Sequence, residues 1–181
     1  MLKPLAGAVA LLSGIAVADV ARADDWNFAQ EIPCPTAPVY GVPFSQCFVS
    51  NVRTFRIGNV QSWRLTYTDS KSEFAIGFYR LVEAHGVGGM SPVTSNSEII
   101  SWVRTADALK HVSAGGSNWS VTAGPSGERY VTFQKGTRQC IGFVRNGPSA
   151  AWTLGAVFCR ESRTPVPTSE VQFIYDAIQV R

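Results

Sequence analysis

Large apolar residues alternate with polar or small ones from Trp63 onward. Trp63, Leu65 and Tyr67 fall on one side of an extended chain, and Arg64, Thr66 and Thr68 on the other. Beyond Asp69-Ser70, Phe74, Ile76 and Phe78 alternate with Ala75, Gly77 and Tyr79. A period of two is the mark of a half-buried strand. A turn centred on Asp69-Ser70 then sets Leu65 against Phe74 and Trp63 against Ile76, which puts the large residues of both strands on one face. Further strands are predicted over Ser117 to Ala123, Arg129 to Lys135, Arg138 to Arg145 and Trp152 to Arg160. The turn signals between them are Gly124-Pro125-Ser126-Gly127, Gly136-Thr137 and Gly147-Pro148-Ser149.

Two stretches change period. Ser95 and Glu98 have the S-x-x-E spacing of a capping box ahead of Ile99, Ile100, Val103 and Ala106. This predicts one helix from Asn96 to about His111, stopped by Gly115-Gly116, with Ile99, Val103 and Ala106 inward and Trp102 at the border of the stripe, partly exposed. A last helix is predicted from Thr168, where Val171, Ile174, Tyr175 and Ile178 follow the i, i+3, i+4, i+7 spacing of a buried stripe.

The last hairpin also pairs the cysteines. A loop of Pro148 to Ala151 puts Gly147 opposite Trp152, and counting back sets Cys140 opposite Cys159. Cross-strand neighbours are close enough to bridge. The remaining pair is Cys34 with Cys47. On this hairpin Ile141, Phe143, Leu154 and Phe158 face one side, and Cys140, Val144, Val157 and Cys159 the other. Both faces are apolar, so both need a cover, and the two helices and the N-terminal segment are available. The expectation is an α+β fold, an antiparallel sheet of about six strands in the order ββαββββα with two helices against it.

The first residues carry an address. Lys3 precedes an apolar run from Leu5 to Ala18, and Ala21-Arg22-Ala23 has the small-x-small form of a signal-peptidase site. The run of about 14 residues is shorter than the roughly 20 of a transmembrane helix. Residues 1–23 therefore read as a signal peptide cleaved after Ala23, with no transmembrane anchor, and no Cys follows the site to mark a lipoprotein. Residues 24–181 read as one globular domain that opens with an irregular Pro-rich lead-in, 24–46, stapled by Cys34 and Cys47. Four cysteines behind an export signal imply two disulfides formed in an oxidising compartment, which places the protein in a bacterial periplasm or outside the cell.

Charge excludes several classes. Removing Lys3, Arg22 and Asp19 from the 16 basic and 13 acidic residues leaves a net charge of about +2. Nucleic-acid binders carry clustered basic stripes, and this chain shows none. With no C-x-x-C and only His85 and His111, no metal site is expected, and no cofactor.

Candidate chemistry is sparse. His85-Gly86-Val87-Gly88-Gly89 superficially resembles the oxyanion loop of lipases and esterases, but the G-x-S-x-G elbow those enzymes need is missing. Glu83 shares a strand face with His85, and His111 sits where a helix C-terminus favours positive charge. The glycines read as a mobile connection of the kind that carries binding sites. Trp102 supplies an aromatic contact near it. The candidate binding residues are therefore His85, Gly88, Gly89 and Trp102. On this view Trp102→Ala weakens binding and leaves the fold nearly intact.

The expected function is an exported accessory or binding protein without catalysis, whose partner is a protein or small-molecule ligand of the cell envelope. The alternatives are a small periplasmic hydrolase using the His85 loop, or a secreted inhibitor or host-interaction factor that presents the Cys34–Cys47 loop.

Overall fold

The computed structural model describes residue 28, residues 30–86 and residues 89–181. The signal peptide and its cleavage site lie outside the described residues, as do Trp26, Val87 and Gly88.

The class is α+β, with more elements than the pattern predicts. The strands are β1 (Gln30–Glu31), β2 (Val39–Tyr40), β3 (Gln46–Val49), β4 (Arg53–Phe55), β5 (Gly58–Thr68), β6 (Ser72–Ala84), β7 (Ser117–Ala123), β8 (Arg129–Lys135), β9 (Arg138–Asn146), β10 (Trp152–Glu161) and β11 (Gln179–Val180). The helices are α1 (Asn96–Thr105), α2 (Asp107–Ser113) and α3 (Thr168–Ala177). Nine strands form one antiparallel sheet in the order β1-β3-β5-β6-β10-β9-β8-β7, with β4 beside β3 on the edge of β5. β2 and β11 pair separately.

The expected six strands and two helices are corrected to nine in the sheet and three helices. The added strands are two to four residues long, too short to show a period. The lead-in is not wholly irregular: it holds β1, β2 and a 3-10 turn at Cys34–Thr36, because Ala37 and Val39 are core residues. The expected first helix breaks at Ala106, whose ψ of 122° is extended. The Ala106 N–H still closes α1 onto the Trp102 carbonyl, and the Ala108 N–H turns to the buried Tyr79 hydroxyl at 3.4 Å.

The β5–β6 register differs from expectation by two residues. Leu65 faces Ile76 and Trp63 faces Phe78. Asp69 holds the loop open, its carboxylate accepting from the Lys71 and Ser72 N–H groups at 2.7 and 2.6 Å. A slip of two keeps every side chain on its face, whereas a slip of one reverses them all. The β9–β10 hairpin follows the expected count, with Cys140 opposite Cys159. Both disulfides are those expected, Cys34–Cys47 and Cys140–Cys159, with Cα separations of 5.2 and 4.1 Å.

Two cores lie on opposite faces of the sheet. One packs α1 and α2, through Ile99, Trp102, Val103, Leu109 and Val112, against Ala75, Tyr79, Val131, Val157 and the Cys140–Cys159 bridge. The other packs α3 and the lead-in, through Val171, Ile178, Ala37 and Val39, against Leu65, Ile76, Phe78, Phe143 and Leu154. The helices and lead-in are thus the covers that the two apolar faces required. Ile174 and Tyr175 are half-buried on the α3 stripe.

The α1–α2 face is hollowed by glycine. Gly77 and Gly155 are direct cross-strand partners, and Gly142 lies on the same face of the next strand, β9. A Cβ on Gly155 would overlap the Trp102 ring, one on Gly77 would sit 2.8 Å from Ala108 Cβ, and one on Gly142 would press on Val103 at 3.3 Å. The helices lie in this trough. Trp102 is 7% exposed, edge-on to Tyr79 with ring centroids 5.4 Å apart. The expected partial exposure of Trp102 is therefore corrected, because the missing side chain at Gly155 makes room for the whole indole.

The turn into β10 is strained. Ser149 and Ala150 adopt φ of 50° and 52°, where a side chain costs about 1–2 kcal/mol per residue. Ser149 is exposed, so Ser149→Gly loses little packing. After the entropic penalty of glycine, this variant is expected to gain about 0.5 kcal/mol in a urea melt. A loss of stability would show that the turn is unstrained.

Candidate functional site

The structure does not bring the sequence candidates together. His85 is exposed just past β6, and its N–H donates to the Ile57 carbonyl at 3.0 Å. No ring contact or hydrogen bond joins it to Trp102 among the described residues. Trp102 offers no free face, since it is spent on the core. Gly88 lies outside the described residues. Gly89 is pressed against the strained turn, where a Cβ would meet the Ser149 carbonyl at 2.6 Å, and the Met90 N–H donates to the Ala150 carbonyl. The end of this connection is fastened down.

What it is fastened beside is a cleft of about 510 Å³. Its walls come from the start of α1, the β7–β8 turn, the end of β9 and the inner side of α3. Asn146 holds the first wall, accepting from the Val93 N–H at 3.2 Å and donating to the Val93 carbonyl at 3.0 Å. The capping box then starts α1. Ser95 Oγ accepts from the Glu98 N–H, and the Glu98 carboxylate accepts from the N–H groups of Ser95 and Thr94. Those bonds pull the Glu98 carboxyl down to about 2.

Arg145 links the sheet to α3. Its Nη1 donates to the carbonyls of Tyr175 and Ile178 at 3.1 and 2.9 Å, two of the acceptors that a helix C-terminus leaves unpaired. The guanidinium lies 4.9 Å from the Tyr175 ring centroid, and positive charge there also suits the helix dipole. Beneath it, Tyr130 donates to Gln172 Oε1 at 2.7 Å, and Gln172 Nε2 donates to Asp176 and Glu128. Burial, with the Glu128 charge second, pushes the Tyr130 hydroxyl up to about 12. Burial likewise raises Tyr175. Arg129 donates to Asn96 Oδ1 at 3.3 Å, and Trp152 closes one end, tilted against Phe78.

The lining therefore offers two guanidinium groups, one carboxylate, one amide and two aromatic rings. It contains no histidine, cysteine or serine. Among the described residues, no group of three His, Cys, Asp or Glu side chains could hold a metal ion. This arrangement is suited to holding a polar molecule. Sequence reasoning missed it because its residues span Val93 to Tyr175 and share no motif. The one available signal was Arg145-Asn146, a charged and an amide residue that follow the apolar run from Cys140 to Val144.

The remaining titratable groups set an acid response. His111 is lowered to about 4 by partial burial and then by the positive charges of Arg64 and Lys135, so the expected benefit of a charged histidine at the helix end is not realised. The Arg64 guanidinium is itself partly buried, against the rings of Phe28 and Phe48 at 5.2 and 4.8 Å. A histidine whose folded value is below its unfolded value near 6.5 leaves the unfolded chain binding more protons between the two. Stability is thus expected to fall as pH drops from about 6.5 to about 4. Asp69 and Glu98, both held near 2 by hydrogen bonds from backbone N–H groups, extend the loss as pH falls further. Urea midpoints from pH 7 to pH 3 check this. His111→Gln should flatten only the upper part, and an unchanged profile would contradict the assignment. The imidazole keeps a solvent-facing edge, so its step is the smaller.

No family model, curated protein or solved structure matches this chain.

Proposed function

We propose that this chain is an exported binding protein, working in the periplasm or outside the cell, that seats a small polar ligand in the cleft between α1, β9 and α3. It consists of one domain behind a cleaved signal, and it binds without catalysis. Two disulfides support the compartment. No helix among the described residues is long and apolar enough to cross a membrane. The observation that carries the binding reading is the pre-organisation of the cleft. Each polar wall is fixed by a neighbour: Asn146 by Val93, Arg145 by the end of α3, and Glu128 by Gln172. Fixed polar groups among aromatic walls lower the ordering cost of binding.

A thermal-shift screen of small polar metabolites tests this reading. A ligand at a hundred times its Kd adds about 2.7 kcal/mol, enough to raise Tm by several degrees. Hits should stabilise the native protein and lose most of that effect on Arg129→Glu, a charge reversal at an exposed wall residue. Hits that stabilise Arg129→Glu equally would place the ligand elsewhere and overturn the proposal.

A further inference from the structure

We infer that the cleft recognises a single carboxylate carried on an apolar or aromatic body; this rests on the binding reading above. Arg145 is anchored through one nitrogen: its Nη1 donates to both the Tyr175 and the Ile178 carbonyls. The plane is therefore fixed, and Nε and Nη2 make no hydrogen bond among the described residues. A guanidinium edge with two parallel donors matches the two oxygens of a carboxylate.

Charge narrows the class further. Neither Arg145 nor Arg129 forms an ion pair among the described residues, since Arg129 donates to an amide oxygen. The carboxylate in the same lining is engaged elsewhere: Glu128 accepts from Gln172 Nε2 at 3.4 Å and from the Ser126 N–H at 3.0 Å. Two cations and one anion leave the cleft one positive charge in excess. One negative charge on the ligand balances it, while a phosphate dianion would overshoot and lie near Glu128. The Tyr175 ring beside the arginine and Trp152 at the end of the cleft then take the apolar body.

The test uses phenylacetate and its neutral isostere phenylacetamide, titrated into the 15N-labelled native protein at pH 7. Phenylacetate should shift the amides of Thr94, Gly127 and Asn146, and phenylacetamide should bind about ten- to a hundredfold more weakly, the loss of a charge-assisted pair. Arg145→Lys keeps the charge and loses the fork, so it should bring the acid level with the amide. Arg129→Gln, which leaves the α3 anchor intact, should weaken the acid alone and keeps the test open should Arg145→Lys unfold. Equal binding of acid and amide at these residues would overturn the carboxylate assignment while leaving the binding reading standing. Tighter binding of inorganic phosphate than of phenylacetate would also overturn it, as would no shift of these amides by millimolar phenylacetate.

Discussion

Replacing Trp102 with alanine is expected to cost about 3–5 kcal/mol, the range for emptying a large buried aromatic site. That is a large share of the roughly 5–15 kcal/mol that holds a domain together. The indole is buried, fills the trough above Gly155 and meets Tyr79 edge-on at 5.4 Å. Its loss opens a cavity where α1 meets the sheet, and the neighbouring glycines have no side chains with which to fill it. The sequence alone points the opposite way, to a border residue whose removal spares the fold. A urea melt of Trp102→Ala decides between the two. A change below about 1 kcal/mol would show that the ring is peripheral.

Gly155→Ala is the complementary experiment. A methyl group there would overlap the Trp102 ring. Neither partner can yield cheaply, because one is backbone of a central strand and the other is locked under Tyr79. Overpacking of this kind costs about 1–3 kcal/mol, and this site is expected at the upper end. The two effects must couple. In the Trp102→Ala background the added methyl group enters vacated space, so Gly155→Ala should become neutral or slightly stabilising. A double-mutant cycle should show an interaction energy of about 1–3 kcal/mol. Additive losses would mean that the two residues do not share one site.

These two residues also show what a sequence conceals. Gly77, Gly142 and Gly155 each read singly as a weak point in a strand, and only the pairing of β6, β10 and β9 lines them into a trough. By contrast, the β9–β10 hairpin is legible to the residue. Its loop length fixes the register, and the register fixes the Cys140–Cys159 bridge. The capping box at Ser95 and Glu98 is equally local, and the start of α1 follows from it. The break at Ala106 is not local, for it rests on the Tyr79 hydroxyl taking the Ala108 N–H from another element. The strands β1 to β4 and β11 are too short to carry a period. The β5–β6 turn departs from the apolar pattern because the Asp69 carboxylate sets the loop length.

The candidate site was the least legible part. His85 and Trp102 looked suggestive because glycines lie between them, yet one is exposed beyond β6 and the other is core. The cleft instead draws Val93 and Asn146 together through a paired amide contact, and sets Arg145 on Tyr175 through the end of α3. Each contact joins elements far apart in the chain, and no short motif records them. Chemistry-bearing residues at the end of a strand, as at Arg145-Asn146, were the better guide than the glycine-rich connection.

The central claim is that ligand binds at this cleft and not at the His85 connection. Amide shift mapping of the native protein, titrated with phenylacetate and with mixtures of small polar metabolites, tests this most directly. Perturbations are expected on Thr94, Gly127, Arg129, Asn146 and the Trp152 indole, with His85 and Gly86 unmoved. Shifts centred on His85 and Gly86, with the cleft silent, would contradict it.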